Sequence, residues 1–314
     1  MSLPVVENQP FSERREAASP GQGWSRGPDG ETEGGGRLLH GALIAVVVCF
    51  LSAFLILPLA VVFSEALRHG WRAYAAAITE PEALAAVRLT LLATVWALLL
   101  NTVFGLFAAW CLGKHRFRGR NILISLIDLP FAVSPVVAGL LLVMLFGRHS
   151  WLGGMFGRWG IEIIFAVPGI VLATAFVTLP MIARELIPIM ESQGTEEEEA
   201  ARLLGANGLQ IFWHVTLPNI RWALLYGIVL CTARAMGEFG AVSVVSGHIR
   251  GLTTTLPLHV EILYNEYRFS AAFATASLLT IAALVSLVSK RIMERAFESD
   301  HRSNTPRSRR KSMP

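Results

Sequence analysis

The sequence predicts an all-α membrane protein with six transmembrane helices. Its 314 residues are 53% hydrophobic and only 16% charged, with a mean hydropathy of +0.52, whereas soluble domains carry about 25% charged residues. A helix needs about 20 residues to cross the roughly 30 Å hydrocarbon layer of a bilayer, and six apolar segments reach this length. The predicted spans are Leu39–Phe63, Leu84–Trp110, Ile122–Phe146, Ile163–Ile182, Trp222–Val245 and Ala271–Ser289.

The flanks of the chain differ in composition from this central region, residues 38–290. Residues 1–37 are rich in Gly, Pro, Ser, Glu and Arg and contain no apolar run, so we expect a disordered tail. Residues 291–314 form a basic tail. Because this tail follows a span and has no interleaved aromatic residues, we expect it to contact anionic lipid rather than nucleic acid.

The distribution of lysine and arginine predicts the orientation of the spans. The N-terminal tail, the loops at 114–120 and 184–202, and the segment from Lys290 to Lys311 together carry eighteen of these residues, and the opposite loops carry six. Since cytoplasmic loops hold the excess of positive charge, both termini are predicted to be cytoplasmic. The polar loop at 191–218 then also faces the cytoplasm.

That polar loop, between the fourth and fifth spans, carries a motif with several positions at set spacings. In order, these are Glu199, Ala200, Ala201, Gly205, Val215, Leu217 and Pro218. The alanines permit close approach to another surface, and the glycine permits a turn between two short helices. The proline disfavours helix in the residue before it, so we expect the region to end there, before the next span.

The start of this loop has the composition of a helix N-terminus. Thr195 is followed three residues later by Glu198, the spacing of a capping box. The glutamates at 196–198 suit the positive end of a helix dipole. Taken alone, the glutamate run is more typical of a solvated amphipathic loop.

The spacing of the motif resembles the EAA loop of ABC importer permeases, which docks onto the ATP-hydrolysing subunit. Over about residues 40–290 the chain is similar to CysW-type permease subunits of bacterial sulfate/thiosulfate importers. Segments that carry this resemblance are Asp128–Pro130, Ser134–Gly139, Arg184–Pro188, Gly237–Gly247, Thr255–Leu258 and Glu261–Tyr264.

The resemblance implies the type I (MetI-like) importer permease fold in a bacterial inner membrane. It implies a second, homologous permease as heterodimer partner, two ATPase subunits, and a periplasmic sulfate-binding protein that delivers sulfate or thiosulfate. The ATPase-coupling residues would be Glu199, Ala200, Ala201, Gly205, Leu217 and Pro218. A homodimeric molybdate or tungstate permease is the related alternative, and a self-contained channel or secondary transporter is the alternative from another class.

Passage of a strongly hydrated dianion requires hydrogen-bond donors and positive potential within the membrane. Arg234 and Glu238 lie four residues apart, on one face of the fifth span. They are predicted either to shape the anion pathway or to form a structural ion pair. Ser134 and Ser243 are further pathway predictions, as donors beside broken helices, with helix packing by small residues as the alternative.

Several motifs of catalysis are absent from the sequence. There is no G-x-x-x-x-G-K-[ST] phosphate loop, so the chain is predicted not to hydrolyse ATP, and no cofactor is expected. No G-x-S-x-G element, H-E-x-x-H helix or paired C-x-x-C is present, which disfavours an intramembrane enzyme. His248 and His259 stand without a carboxylate frame, so no metal site is expected.

Overall fold

The computed structural model describes residues 33–304, with side chains described over 40–295. Within that range every regular element is helical. The helices are α1 (Glu33–Ala66), α2 (Gly70–Thr79), α3 (Pro81–Lys114), α4 (Arg120–Ile127), α5 (Leu129–Ala132), α6 (Pro135–Phe146), α7 (Trp151–Arg158), α8 (Val167–Thr178), α9 (Pro180–Gln193), α10 (Glu196–Leu203), α11 (Gly208–Ile211), a π-helical segment (Phe212–Thr216), α12 (Leu217–Met236), α13 (Gly240–Val245), α14 (Leu256–Asn265) and α15 (Phe269–Asn304).

The tails predicted from composition fall largely outside this range. Residues 1–32 and 305–314 are not among the described residues, while α1 and α15 extend into the predicted tails as far as Glu33 and Asn304. The chain divides into two compact units between Ile56 and Leu57. The first unit contains, within the described range, the N-terminal part of α1, and the second contains all the other helices.

Five helical stretches of the described chain are long and apolar enough to cross a membrane. They are His40–Ala66, Pro81–Lys114, Val167–Gln193, Gly208–Met236 and Phe269–Arg295. These stretches confirm the first, second, fourth, fifth and sixth predicted spans, with shifted ends. Large apolar side chains such as Phe54 and Phe107 remain more than two-thirds exposed on them, as expected for surfaces that face lipid.

The prediction of one continuous third span at Ile122–Phe146 is wrong. The segment forms three helices, α4, α5 and α6, with breaks at Asp128 and at Val133–Ser134. Pro130 and Pro135 each lie in the first turn of a new helix, where the missing N–H leaves no hydrogen bond unmade. It is α6 and α7, bent by 58°, that together give a sixth candidate span.

The fifth span is displaced relative to its prediction at Trp222–Val245. Helix α12 ends at Met236, and α13 begins only at Gly240. At the other end, the helix is continuous from Gly208 through Pro218, so the expected end of the loop at Leu217-Pro218 is wrong. In a regular α-helix the Pro218 ring would clash with the carbonyl group four residues earlier. The π-helical segment just before Pro218 has a wider turn, which relieves this clash.

Helix α3 joins two hydrophobic cores. Near its start, Leu89 and Ala93 pack with residues of α6, α8, α13 and α14. Near its end, Ala109 and Leu112 pack with residues of α4, α9 and α12. With 34 residues, α3 is about 50 Å long. We call the two ends of this second unit the α10 end, which holds Lys114, and the α14 end.

Small residues bring α3 close to α9. A Cβ atom on Gly105 would lie 2.8 Å from Ile182 Cγ2, and one on Gly113 would lie 2.7 Å from Met190 Cβ. Ala109, between the two glycines, is fully buried. Because these three positions are four residues apart, they share one face of α3, the arrangement that permits close backbone approach in membranes.

A buried amide ties three helices together between the two cores. Asn101 of α3 is 1% exposed, and its Nδ2 donates to Ala175 O at 3.1 Å and to Thr178 Oγ1 at 2.8 Å, both in α8. Cys231 Sγ of α12 lies 3.8 Å from the same nitrogen. A buried amide is costly without partners, so these bonds fix α3, α8 and α12 relative to one another.

Candidate functional site

The loop that carries the motif folds into two short helices, and Gly205 makes the turn between them. Its φ is +89°, in the left-handed region that glycine enters without steric cost. Its amide donates to Arg202 O at 3.0 Å, which ends α10. The role predicted for this glycine from spacing is therefore confirmed as a turn between α10 and α11.

The predicted capping box at Thr195 and Glu198 is wrong. Thr195 makes no side-chain cap, and its hydroxyl instead donates to Glu199 Oε1 at 2.7 Å. The capping box lies one helix later, where Asn207 Oδ1 accepts from Gln210 N and Gln210 Oε1 accepts from Asn207 N, both at 2.9 Å. The N-x-x-Q spacing of that pair was a usable sequence signal.

Two of the glutamates of α10 face the rest of the protein. Glu198 Oε1 lies 3.1 Å from Lys114 Nζ and accepts from Thr216 Oγ1 at 2.8 Å. Glu197 accepts from Asn219 Nδ2, near the start of α12. The side chains of the lysine and of Glu198 are only 6% and 14% exposed, so Glu198 is not part of a solvated face, whereas Glu197 remains exposed.

The side of α10 opposite Glu198 is exposed and carries two leucines. Leu203 and Leu204 are each 90% exposed, and the structure also exposes Glu199, Ala200 and Gly205 of the motif. Leu203 lies four residues after Glu199, and Leu204 lies four residues after Ala200. Each leucine therefore lies on the same face of the helix as that motif residue. The prediction from sequence relied on the spacing of the motif residues. These two leucines are not part of that motif, so they were not predicted.

Other positions of this region are less accessible or lie beside the leucines. Ala201 and Leu217 are half-buried, and Pro218 is exposed. Leu209 and Trp213, which follow the turn, are 69% and 56% exposed. We call Leu203, Leu204, Leu209 and Trp213 the apolar surface of the α10 end. Exposed apolar groups in a cluster are typical of an interaction site.

Arg234 and Glu238 form the ion pair that their spacing predicts. Arg234 Nη1 lies 2.6 Å from Glu238 Oε2, and Glu238 Oε1 accepts from Ala241 N at 3.0 Å, in the first turn of α13. The Glu238 side chain is 1% exposed and that of Arg234 is 36% exposed. Glu238 therefore stabilises the break between α12 and α13, and part of the Arg234 side chain remains accessible.

The structure does not bring the two predicted serines into this pair. Ser243 Oγ donates to Gly240 O at 2.9 Å, and Ser134 is exposed just before α6 without a side-chain cap. Glycines bring α6 and α13 together here, since a Cβ on Gly139 would lie 2.7 Å from Ala241 O. For Ser243 this arrangement supports the packing alternative.

Ion pairs at the α14 end hold the loop at 247–268 against the start of α3. Arg268 Nη2 lies 3.1 Å from Glu80 Oε2, and Arg250 Nη1 lies 3.7 Å from Glu82 Oε2. Arg250 also pairs with Glu266, and this hydrogen bond raises the pKa of its guanidinium group. The loop is therefore an ordered part of the second unit.

His259 of α14 is a core residue. It is 2% exposed, and burial lowers the pKa of its imidazole, because desolvation disfavours the charged form. The carboxylates of Glu80 and Glu82 act in the opposite direction and do not cancel this effect. No group of three or more His, Cys, Asp or Glu side chains suited to a metal occurs among the described residues.

Comparison with known proteins places this architecture in a class. A chain of the bacterial alginate ABC transporter, solved in complex with an alginate pentasaccharide-bound periplasmic protein, superposes with a TM-score of 0.67 at 17% identity, covering 83% of this chain and 94% of that one. The fold is thus that of an ABC importer permease, a multi-pass membrane subunit. Residues 101–299 also match the family described as binding-protein-dependent transport system inner membrane component.

The chain belongs to this family of binding-protein-dependent inner-membrane transport components. The sulfate transport system permease protein CysW of Synechocystis sp. is 52% identical over 252 residues, which cover 80% of this chain and 91% of the relative. The sulfate transport system permease protein CysT of the same organism is 33% identical over 243 residues, which cover 77% and 85%. Members of the family are non-catalytic membrane subunits, which rules against the enzyme alternative.

Proposed function

We propose that this chain is one of two different permease subunits of an ATP-driven sulfate importer. The observation that carries the proposal is the 52% identity to CysW across 80% of the chain. Synechocystis has two related permeases with sulfate transport names, and this chain is more similar to CysW than to CysT. This supports a heterodimer with a CysT-like partner, which a periplasmic binding protein supplies with sulfate or thiosulfate.

The apolar surface of the α10 end is the part of this subunit that docks onto the ATPase. Leu203 and Leu204 insert into a groove of the ATPase, and Ala200 beside them allows the backbone to approach closely. Full burial of two leucine side chains is worth about 1.5–3 kcal/mol each. Closure of two ATPase subunits would then move α10 and, with it, the helices to which it is attached.

The α10 end faces the cytoplasm in this proposal, and both termini lie on the same side. The support is the excess of lysine and arginine in the tails and in the loops at 114–120 and 184–202. The structure brings two of these regions together at one end, because Lys114 contacts Gly194 and Glu198. ATP is available on that side of the membrane.

Arg234 supplies positive potential along the anion pathway, and Glu238 positions it. The partial exposure of the Arg234 side chain supports this division, together with the two protein partners of the Glu238 carboxylate. An ionised carboxylate would repel a dianion, so a buried, paired Glu238 is compatible with transport whereas a free one is not.

Uptake by proteoliposomes tests the proposal as a whole. The vesicles contain this chain, a CysT-like permease and the ATPase, with sulfate-binding protein outside and ATP inside. We expect uptake of radiolabelled sulfate that requires both ATP and the binding protein, with molybdate a poor competitor. Uptake driven by a proton gradient without ATP would instead indicate a secondary transporter, and preferential uptake of molybdate by this permease alone would indicate the homodimeric alternative.

In the same vesicles, Arg234→Gln is expected to lower the sulfate uptake rate by about tenfold, which corresponds to 1.4 kcal/mol of lost stabilisation. The neutral amide retains hydrogen-bond donors and removes the charge. Arg148→Gln is the control, because Arg148 is exposed and, among the described residues, forms an ion pair only with the exposed Glu162. Uptake by this variant should equal that of the unmodified chain. Normal uptake by Arg234→Gln at normal expression would contradict the role of Arg234.

A further inference from the structure

We propose that Lys114 is a positioning residue of the coupling site, which fixes α10 to the end of α3 so that movement of α10 reaches the membrane helices. This inference rests on the proposed function, because it assigns to Lys114 the transmission of movement from the ATPase rather than the docking itself. Lys114 lies outside the motif and is distant from it in sequence.

The ammonium group of Lys114 contacts one residue just before α10 and one residue within it. Lys114 is the last residue of α3, and its Nζ donates to Gly194 O at 2.5 Å and lies 3.1 Å from Glu198 Oε1. Gly194 precedes α10 and Glu198 lies within it. Since the lysine side chain is 6% exposed, this contact is protected from the solvent and salt that weaken surface ion pairs.

Further contacts attach the same glutamate face to α12. Glu198 accepts from Thr216 Oγ1, in the π-helical segment that leads into α12. Glu197 accepts from Asn219 Nδ2, and Asn219 O accepts from Gln193 Nε2 at 3.0 Å. Helix α10 is thereby linked to α9 and α12 as well as to α3, while the face opposite Glu198, with the two exposed leucines, is left for a partner.

A second basic residue strengthens the connection on the side of α9. Arg120, the first residue of α4, pairs with Glu191 near the end of α9, and its Nε donates to Leu112 O at 2.7 Å. The basic loop at 114–120 therefore contacts the segment at 191–198 both before and within α10. The basic residues of this loop therefore form ion pairs within the subunit, in addition to their proposed effect on the orientation of the chain in the membrane.

Helix α3 carries the movement onward because it is continuous between the two cores. It packs through Gly105 and Gly113 on α9 and through Leu89 on the core that contains α6, α8 and α13. A displacement of α10 that is transmitted through Lys114 therefore moves a continuous helix, α3, rather than a loop. Without the lysine, α10 keeps its outward surface but loses its attachment to α3.

The experiment compares Lys114→Met and Glu198→Gln with the charge exchange that combines Lys114→Glu and Glu198→Lys. All are measured in the complete transporter in proteoliposomes, with Arg148→Met as the matched control at an exposed pair. Three quantities are recorded: cross-linking of the ATPase to a photo-reactive residue at Ala200, ATP hydrolysis, and sulfate transported per ATP. Glu198→Gln leaves the bond from Lys114 to Gly194 possible and serves as the milder variant, should Lys114→Met fail to fold.

We expect both single variants to keep the cross-link to the ATPase and to transport less sulfate per ATP, by about tenfold for Lys114→Met. The charge exchange should recover part of the loss, since it restores the ion pair and not the bond to Gly194. Unchanged transport per ATP, a charge exchange no better than the single variants, or loss of the cross-link itself would overturn the role of Lys114. If the unmodified chain shows no ATP-driven uptake, the proposed function fails instead.

Discussion

Replacing both Leu203 and Leu204 by aspartate is expected to reduce binding of the ATPase by at least about tenfold and to abolish sulfate uptake. The two leucines are each 90% exposed, so the change removes apolar surface without opening a cavity in this subunit. Docking would bury them, each at a gain of about 1.5–3 kcal/mol, and 1.4 kcal/mol corresponds to a factor of ten in affinity. Two carboxylates would also have to be desolvated in the groove.

The measurement is co-purification of the ATPase with the permease pair, together with uptake in proteoliposomes. Leu252→Asp is the matched control, because Leu252 is a 67% exposed leucine in the loop at the α14 end and the same chemical change there should leave ATPase binding intact. Retention of the ATPase by the double variant at normal strength would show that the apolar surface of the α10 end is not the docking surface.

Gly105→Leu is expected to destabilise the subunit by about 1–3 kcal/mol, the usual cost of overpacking. Even a Cβ atom at this position would lie 2.8 Å from Ile182 Cγ2, closer than non-bonded carbon atoms approach. A leucine therefore forces α3 away from α9 along the face that also contains Gly113. Since both cores depend on the position of α3, the effect should extend beyond the contact itself.

This prediction is checked by the temperature at which the purified subunit loses its monodisperse peak in size-exclusion chromatography. Gly154→Leu is the control, because no other part of the described chain lies within 4 Å of the position where its Cβ would be. We expect Gly105→Leu to aggregate at a lower temperature than the unmodified chain. Gly154→Leu should aggregate at the same temperature as the unmodified chain. Equal stability of all three proteins would mean that α3 and α9 do not require close approach.

Apolar length was sufficient to predict five spans, because the cost of exposing polar groups to lipid leaves few alternatives to a helix. It failed for the third span, where Pro130 and Pro135 were visible in the sequence. A proline inside an apolar segment can bend a helix or start a new one, and only the packing of α6 on α13 decides between these. The prediction that the loop region ends at Leu217-Pro218 was also wrong. The helix continues there through a π-helical segment, which has no simple sequence signal.

Two features of the site that depend on local spacing were predictable, whereas the capping box expected at Thr195 was not formed. Gly205 turns as expected, and Arg234 and Glu238 pair at four residues' distance. Contacts between distant parts of the chain were not predictable, so the partnership of Lys114 with Glu198 could not be found from sequence. Both residues looked like surface charges, and only the fold shows that they are buried together.

The most direct test of the account is photo-cross-linking from position Ala200 in membrane vesicles that contain the complete transporter. We predict that a photo-reactive residue at Ala200 captures the separate ATPase subunit and that one at Arg148, at an exposed site remote from α10, does not. Failure of Ala200 to capture the ATPase, or equal capture from both positions, would contradict the claim that α10 connects this subunit to an ATP-driven partner.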